Sequence, residues 1–111
     1  MRHQYFVYIL TNSQKTVLYT GVTNDLAQRI TEHYLKRGNP DSFAGRYHCY
    51  YLVYYEPPQY IRNAIAREKE IKSWYRSKKE ALISAFNPEW KFLNSEIMDW
   101  PPQEGQSRDN G

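Results

Sequence analysis

From Gln4 to Thr11 the chain reads Gln-Tyr-Phe-Val-Tyr-Ile-Leu-Thr, a run of β-branched and aromatic residues with no helical period. Such a run predicts a strand that is apolar on both faces and therefore central in its sheet. A polar turn over Thr11 to Gln14 and a second β-rich stretch, Thr16 to Gly21, predict the returning strand of a hairpin. Side chains alternate along a strand, so Val17, Tyr19 and Gly21 share one face and Leu18 and Thr20 take the other.

The period then changes. Thr23, Asn24 and Asp25 are all good N-cap residues, and Leu26, Ile30 and Tyr34 recur at i, i+4 and i+8. A helix is predicted from there to about Arg37, where Gly38, Asn39 and Pro40 stop it. Arg29 and His33 lie one turn apart, along the edge of its apolar stripe. Arg37 to Tyr47 reads as a long loop carrying Arg37 and Arg46, and such loops are often functional.

Cys49 to Glu56 predicts a third strand, closed by Pro57 and Pro58. A second helix is expected from about Tyr60 to Tyr75. A shorter one follows from Ser77 to about Phe86, with Ser77 and Glu80 spaced as a capping box and Asn87-Pro88 as its stop. Trp90, Phe92 and Leu93 are candidates to dock on the body. The order gives an α/β domain with a small, mainly antiparallel three-stranded sheet flanked by helices, β-β-α-β-α-α. Residues 1–98 are expected to form the domain and 99–111 a polar, disordered tail.

Composition narrows the class. At 111 residues the chain has room for one core. Residues 1–98 carry 14 basic against 9 acidic side chains, a modest excess that suits a polyanionic partner. Cys49 is the only cysteine, which excludes an internal disulfide and a cysteine-based zinc site. The apolar run ending at Leu10 is too short to span a membrane and lacks a cleavage pattern, so a cytoplasmic protein without membrane contact is expected.

The second helix contains a conflict between pattern and chemistry. Ile61, Ala64, Ile65, Ile71 and Tyr75 fall on one stripe, and Glu68 falls near its middle. A carboxylate on a core-facing stripe is costly unless it is paired or bound to a metal. Lys72 at i+4 and Arg29 are candidate partners, and the alternative is a hard divalent cation with waters completing its shell. On the helix alone the ion pair is favoured. Arg29 could clamp a phosphate, His33 could exchange a proton, and Tyr8 and Tyr19 could lie side by side on the hairpin. The basic residues Arg62, Arg67, Lys69, Lys72, Arg76, Lys78 and Lys79 are either a solvated face or a track for a phosphate backbone.

Taken together these residues resemble the GIY-YIG nuclease superfamily, over about residues 4 to 95. The likeness is strongest to its small stand-alone bacterial group, which is related to the nuclease domain of the excinuclease C subunit. Phe6-Val7-Tyr8 matches the first motif and Tyr19-Thr20-Gly21 the second. Arg29, His33 and Glu68 match the helical positions, and Asn94 a C-terminal asparagine. Phe6 replaces the name-giving glycine, and Val22 stands where some relatives carry a lysine.

The resemblance implies a metal-dependent endonuclease that hydrolyses DNA phosphodiester bonds through Mg²⁺ or Mn²⁺ on Glu68, with no small-molecule cofactor. It implies catalytic roles for Tyr8, Tyr19, Arg29, His33 and Glu68. DNA contacts are expected from Arg29, Arg37, Arg46, Lys72 and Asn94. Low sequence specificity is expected, in DNA repair, recombination or processing, with single-stranded or branched DNA open as the substrate. The alternative is a non-catalytic nucleic-acid-binding module on the same fold. Intact Tyr8, Tyr19, Arg29 and Glu68 argue against it, because binding alone does not need a carboxylate facing a phosphate.

Overall fold

The computed structural model describes residues 4–103. Strand β1 (Gln4–Thr11) is central, with β2 (Leu18–Thr23) on one side and β3 (Tyr51–Tyr55) on the other, both antiparallel to it. A short β4 (Gln59–Tyr60), absent from the sequence reading, pairs with Gln4 and Tyr5. Two residues leave little pattern to read.

The unbroken apolar run of β1 is explained by its position. Tyr8 and Leu10 enter a core shared with Leu26 and Ile30 of α1 (Leu26–Leu35). Val7 and Ile9 enter a second core with Ala64 and Ile71 of α3 (Ile61–Lys72) and Ile83 of α4 (Arg76–Phe86). All four strand residues are essentially inaccessible. Each buried aliphatic side chain contributes about 1.5–3 kcal/mol, so this strand is the most heavily stabilised part of the sheet.

Helix α1 begins as the polar triplet predicts. Asp25 is the N-cap and accepts a hydrogen bond from the Gln28 amide at 3.0 Å, while the Thr23 hydroxyl accepts one from the Asp25 amide. The segment expected as a loop beyond it holds a helical turn, α2 (Phe43–Arg46). Ser42 caps that turn by accepting from the Gly45 amide at 3.0 Å, and the Gly38 amide donates to the Gly45 carbonyl at 2.8 Å. A Cβ at Gly45 would sit 2.7 Å from the Asn39 carbonyl oxygen, so only glycine permits the turn to close. Polar composition hid an element held together by its own backbone.

Helix α3 buries a narrower stripe than its sequence suggests. Ala64 and Ile71 are fully buried, whereas Ile61 and Ile65 are about as exposed as surface residues and Tyr75 is 87% exposed. The inner line is therefore Ala64, Glu68 and Ile71, at i, i+4 and i+7. Helix α4 has its N-cap two residues before the expected capping box, and Ser77 lies inside its first turn. Its N-cap, Tyr75, makes no side-chain cap bond. Arg76 instead pairs with Glu80 at 2.7 Å and donates to the Lys15 and Thr16 carbonyls, pinning α4 to the hairpin turn.

The chain then returns to the body through Leu93, whose amide donates to the Leu52 carbonyl, and α5 (Asn94–Ile97). Phe92 stacks on Tyr51 at 4.1 Å and Trp100 packs edge-on against Tyr34 at 5.0 Å. The disorder expected of the tail falls mainly on residues 104–111, which lie outside the described residues. No helix among the described residues is long and apolar enough to cross a membrane.

Candidate active site

The site grows from the hairpin register. Pairing places Tyr8 opposite Gly21 and Leu10 opposite Tyr19, so the two tyrosines are diagonal neighbours on the α1 side of the sheet. Their ring centroids are 6.4 Å apart. Gly21 is a spatial requirement here: a Cβ on it would lie 2.5 Å from the Tyr8 hydroxyl and 3.1 Å from Tyr19. The phenol of Tyr8 crosses the bare backbone of its partner strand.

Helix α1 delivers the next two groups. His33 Nε2 and the Tyr8 hydroxyl are hydrogen-bonded at 3.1 Å, and the Tyr19 ring lies 5.2 Å from the imidazole. Arg29, one turn earlier, pairs with Glu32 at 2.9 Å, and its charge acts on the Tyr8 phenol. Arg29 and His33, one turn apart in sequence, thus line one cleft together with Tyr19.

Electrostatics set the resting protonation. Burial, followed by the Arg29 charge, pushes the His33 pKa down to about 4, with Glu32 opposing and Lys36 reinforcing the shift. The imidazole is neutral at physiological pH. Burial likewise raises the Tyr8 pKa, aided by Tyr19 and Glu68 and opposed by Arg29. A protonated phenol therefore faces a neutral base.

Two adjoining clefts open on this cluster. One, of about 300 Å³, runs along Tyr5, Val22, Thr23 and Gln28, and the other, of about 190 Å³, along Tyr19, His33, Lys36 and Phe43. Both are lined by Arg29 and Glu32, so the ion pair stands where the clefts meet. Family-model comparison assigns residues 4–81 to the GIY-YIG catalytic domain.

The chain belongs to the GIY-YIG family.

Among curated relatives, a UPF0213 protein of Haloquadratum walsbyi is 35% identical over 82 residues, covering 74% of this chain and 89% of the relative. A UPF0213 protein of Staphylococcus aureus is 37% identical over 79 residues, covering 71% and 93%. No solved structure matches significantly. The GIY-YIG match takes in β1, β2, α1, β3 and α3, the elements that carry Tyr8, Tyr19, Arg29, His33 and Glu68.

Glu68 stands on α3, against the other face of the sheet from α1, and lines neither cleft. Its side chain is only 16% exposed and its Oε2 lies 3.0 Å from Lys72 Nζ, so the i+4 ion pair considered from the sequence is present. Its charge is felt at Tyr8. Among the described residues no three acidic, histidine or cysteine side chains cluster as a complete metal cage. One hard oxygen ligand fits an ion such as Mg²⁺, which keeps several waters and takes phosphate oxygens from its substrate. Lys72 is 51% exposed, and an ion pair open to solvent on one side contributes only about 0–1 kcal/mol, a small cost for a cation that displaces it.

The remaining sequence candidates divide. Arg37 donates to the Tyr34 carbonyl at 2.7 Å and lies over that ring at 3.9 Å, outside the groove lining. Arg46 donates to the Pro40 carbonyl and lines a neighbouring cleft. Asn94, expected to contact DNA, has its amide committed to the backbone. It is buried, its Oδ1 accepts from the Leu52 amide at 2.8 Å, and its Nδ2 donates to the Tyr50 carbonyl at 2.9 Å. A nucleic acid could engage it only by breaking β3's attachment to α5.

Sequence reasoning passed over Glu32, Lys36 and Phe43, all of which line the groove. Lys36 follows Arg29 and His33 along one helix edge, at i+7 and i+3, and that spacing was readable. Phe43 had no such signal, because its position depends on α2.

Proposed function

We propose that the protein is a divalent-metal-dependent endonuclease that hydrolyses DNA phosphodiester bonds with low sequence specificity, serving DNA repair, recombination or processing. The observation that carries this reading is the hydrogen-bonded Tyr8–His33 pair beside Tyr19, with Arg29 standing where the two clefts meet. The family assignment supports it.

Arg29 would hold the scissile phosphate through its planar fork, which Glu32 occupies at rest, and offset the charge that develops in the transition state. The Tyr8 hydroxyl would orient the attacking water and relay its proton to His33 Nε2, which is neutral and able to accept it. Tyr19 would complete the wall that positions the phosphate. Glu68 would hold Mg²⁺ or Mn²⁺, which when bound supplies charge neutralisation at the phosphate and stabilises the leaving oxygen.

The test incubates purified protein with labelled single-stranded, duplex and branched DNA, with and without Mn²⁺, beside Glu68→Ala and Arg29→Ala. The expected result is metal-dependent cutting that falls by about 100-fold or more in each variant. Equal cutting by wild type and variants would overturn these roles. Salt-sensitive binding without cutting would favour the binding-module alternative.

A further inference from the structure

Phe43 and Tyr47 are 51% and 42% exposed, large rings left in solvent on an ordered turn beside the groove. Their centroids are 4.9 Å apart, and Phe43 in turn lies 6.5 Å from Tyr19 with planes only 25° apart. Three rings therefore run in series from the candidate active site to the surface. Phe43 lines the groove with Arg29, His33 and Lys36, and Tyr47 lines the next cleft, of about 450 Å³, with Arg46 and His48. No carboxylate lines that second cleft.

The turn that presents the rings is rigid. Ala44 and Gly45, between them, are buried, Ser42 caps the turn, and the Cys49 amide ties it to the sheet by donating to the Ala44 carbonyl at 2.9 Å. Fixed aromatic rings interleaved with cations are the pattern that binds unpaired strands, since every base offers a stacking face and every phosphate a charge. A duplex hides its base faces and has no use for exposed phenyl rings.

We propose that Phe43 and Tyr47 form a stacking platform for unpaired bases, so that the substrate presents a single-stranded segment running from the groove across α2. The inference rests on the nuclease reading for its direction, but binding tests it independently of cleavage.

Fluorescence anisotropy without divalent metal compares a short labelled single strand with a blunt duplex of the same sequence. Phe43→Ala and Tyr47→Ala are each expected to weaken single-strand binding by about ten-fold, with less than about two-fold change on the duplex. Phe43→Trp should bind as wild type. Thermal unfolding run alongside confirms that each variant is folded. Wild type that does not bind the single strand, alanine variants that bind it normally, or equal losses on both substrates would overturn the platform. Metal-dependent cutting that persists under any of those outcomes leaves the nuclease reading intact. Ring-dependent binding without cutting supports the platform and removes the nuclease instead.

Discussion

Replacing Gly21 with alanine tests whether backbone bareness opposite Tyr8 is what assembles the site. The added methyl would lie 2.5 Å from the Tyr8 hydroxyl oxygen and 2.6 Å from the ring carbon that bears it. Ordinary contact needs about 3.5–4 Å, so something must move by about 1 Å. Tyr8 is 1% exposed on the central strand, so its ring can move only by displacing its packed neighbours. Overpacking of this kind costs about 1–3 kcal/mol, and losing the His33 hydrogen bond adds about 0.5–1.5 kcal/mol. Urea unfolding should therefore show a stability loss of about 1.5–4.5 kcal/mol with an unchanged m-value. A displacement near 1 Å at a catalytic group costs about 100-fold in turnover, to be read as kcat on labelled DNA. A double cycle sharpens the test: on a Tyr8→Phe background the same glycine change should cost little further activity, because the hydroxyl whose displacement matters is gone, while a stability loss remains because the ring carbon is still there. Wild-type stability and turnover in Gly21→Ala, or full additivity in the cycle, would refute the reasoning.

The low His33 pKa has two consequences. Its folded pKa of about 4 lies below the ordinary 6.5, so the unfolded chain takes up a proton first on acidification. Stability should fall as pH drops from about 6.5 towards 4, and His33→Gln should flatten that part of the urea-unfolding profile. If His33 accepts the proton in the reaction, the acid limb of kcat/KM should lie near pH 4 rather than 6.5, as a pH–rate profile would show. Glu32→Gln releases the Arg29 fork from a largely exposed ion pair, so stability should change by less than about 1 kcal/mol while KM for DNA falls several-fold. Asn94→Ala leaves the Leu52 amide and Tyr50 carbonyl unpaired, costing about 2–4 kcal/mol in urea unfolding while KM stays at the wild-type value.

Much of the fold follows from local pattern. The run from Tyr5 to Leu10 could only be a strand covered on both sides, and the structure covers it on both sides. The hairpin faces and the Asp25 start of α1 were equally local, since alternation and capping involve neighbouring residues alone. The same locality made Arg29 and His33 readable as one helix edge, and Glu68 readable as misplaced. Local pattern failed where an element closes on its own backbone or pairs over two residues, as α2 and β4 do.

What the tertiary structure alone decided concerns reach and convergence. Whether an apolar stripe is covered depends on how far the opposite layer extends, which is why Ile61 and Ile65 remain in solvent while Ala64 and Ile71 are sealed around Glu68. Asn94 owes its role to backbone partners more than forty residues away, which no spacing rule encodes. Phe43 reaches Tyr19 only because Gly38, Ser42 and Gly45 fold the intervening chain into a turn. The sequence by itself determined which helix edge or strand face the candidate residues Tyr8, Tyr19, Arg29, His33 and Glu68 occupy. Register and layer packing brought the Tyr8 hydroxyl to His33 and set both beside Tyr19, because contacts between distant segments depend on the whole chain's path and not on the residues beside them.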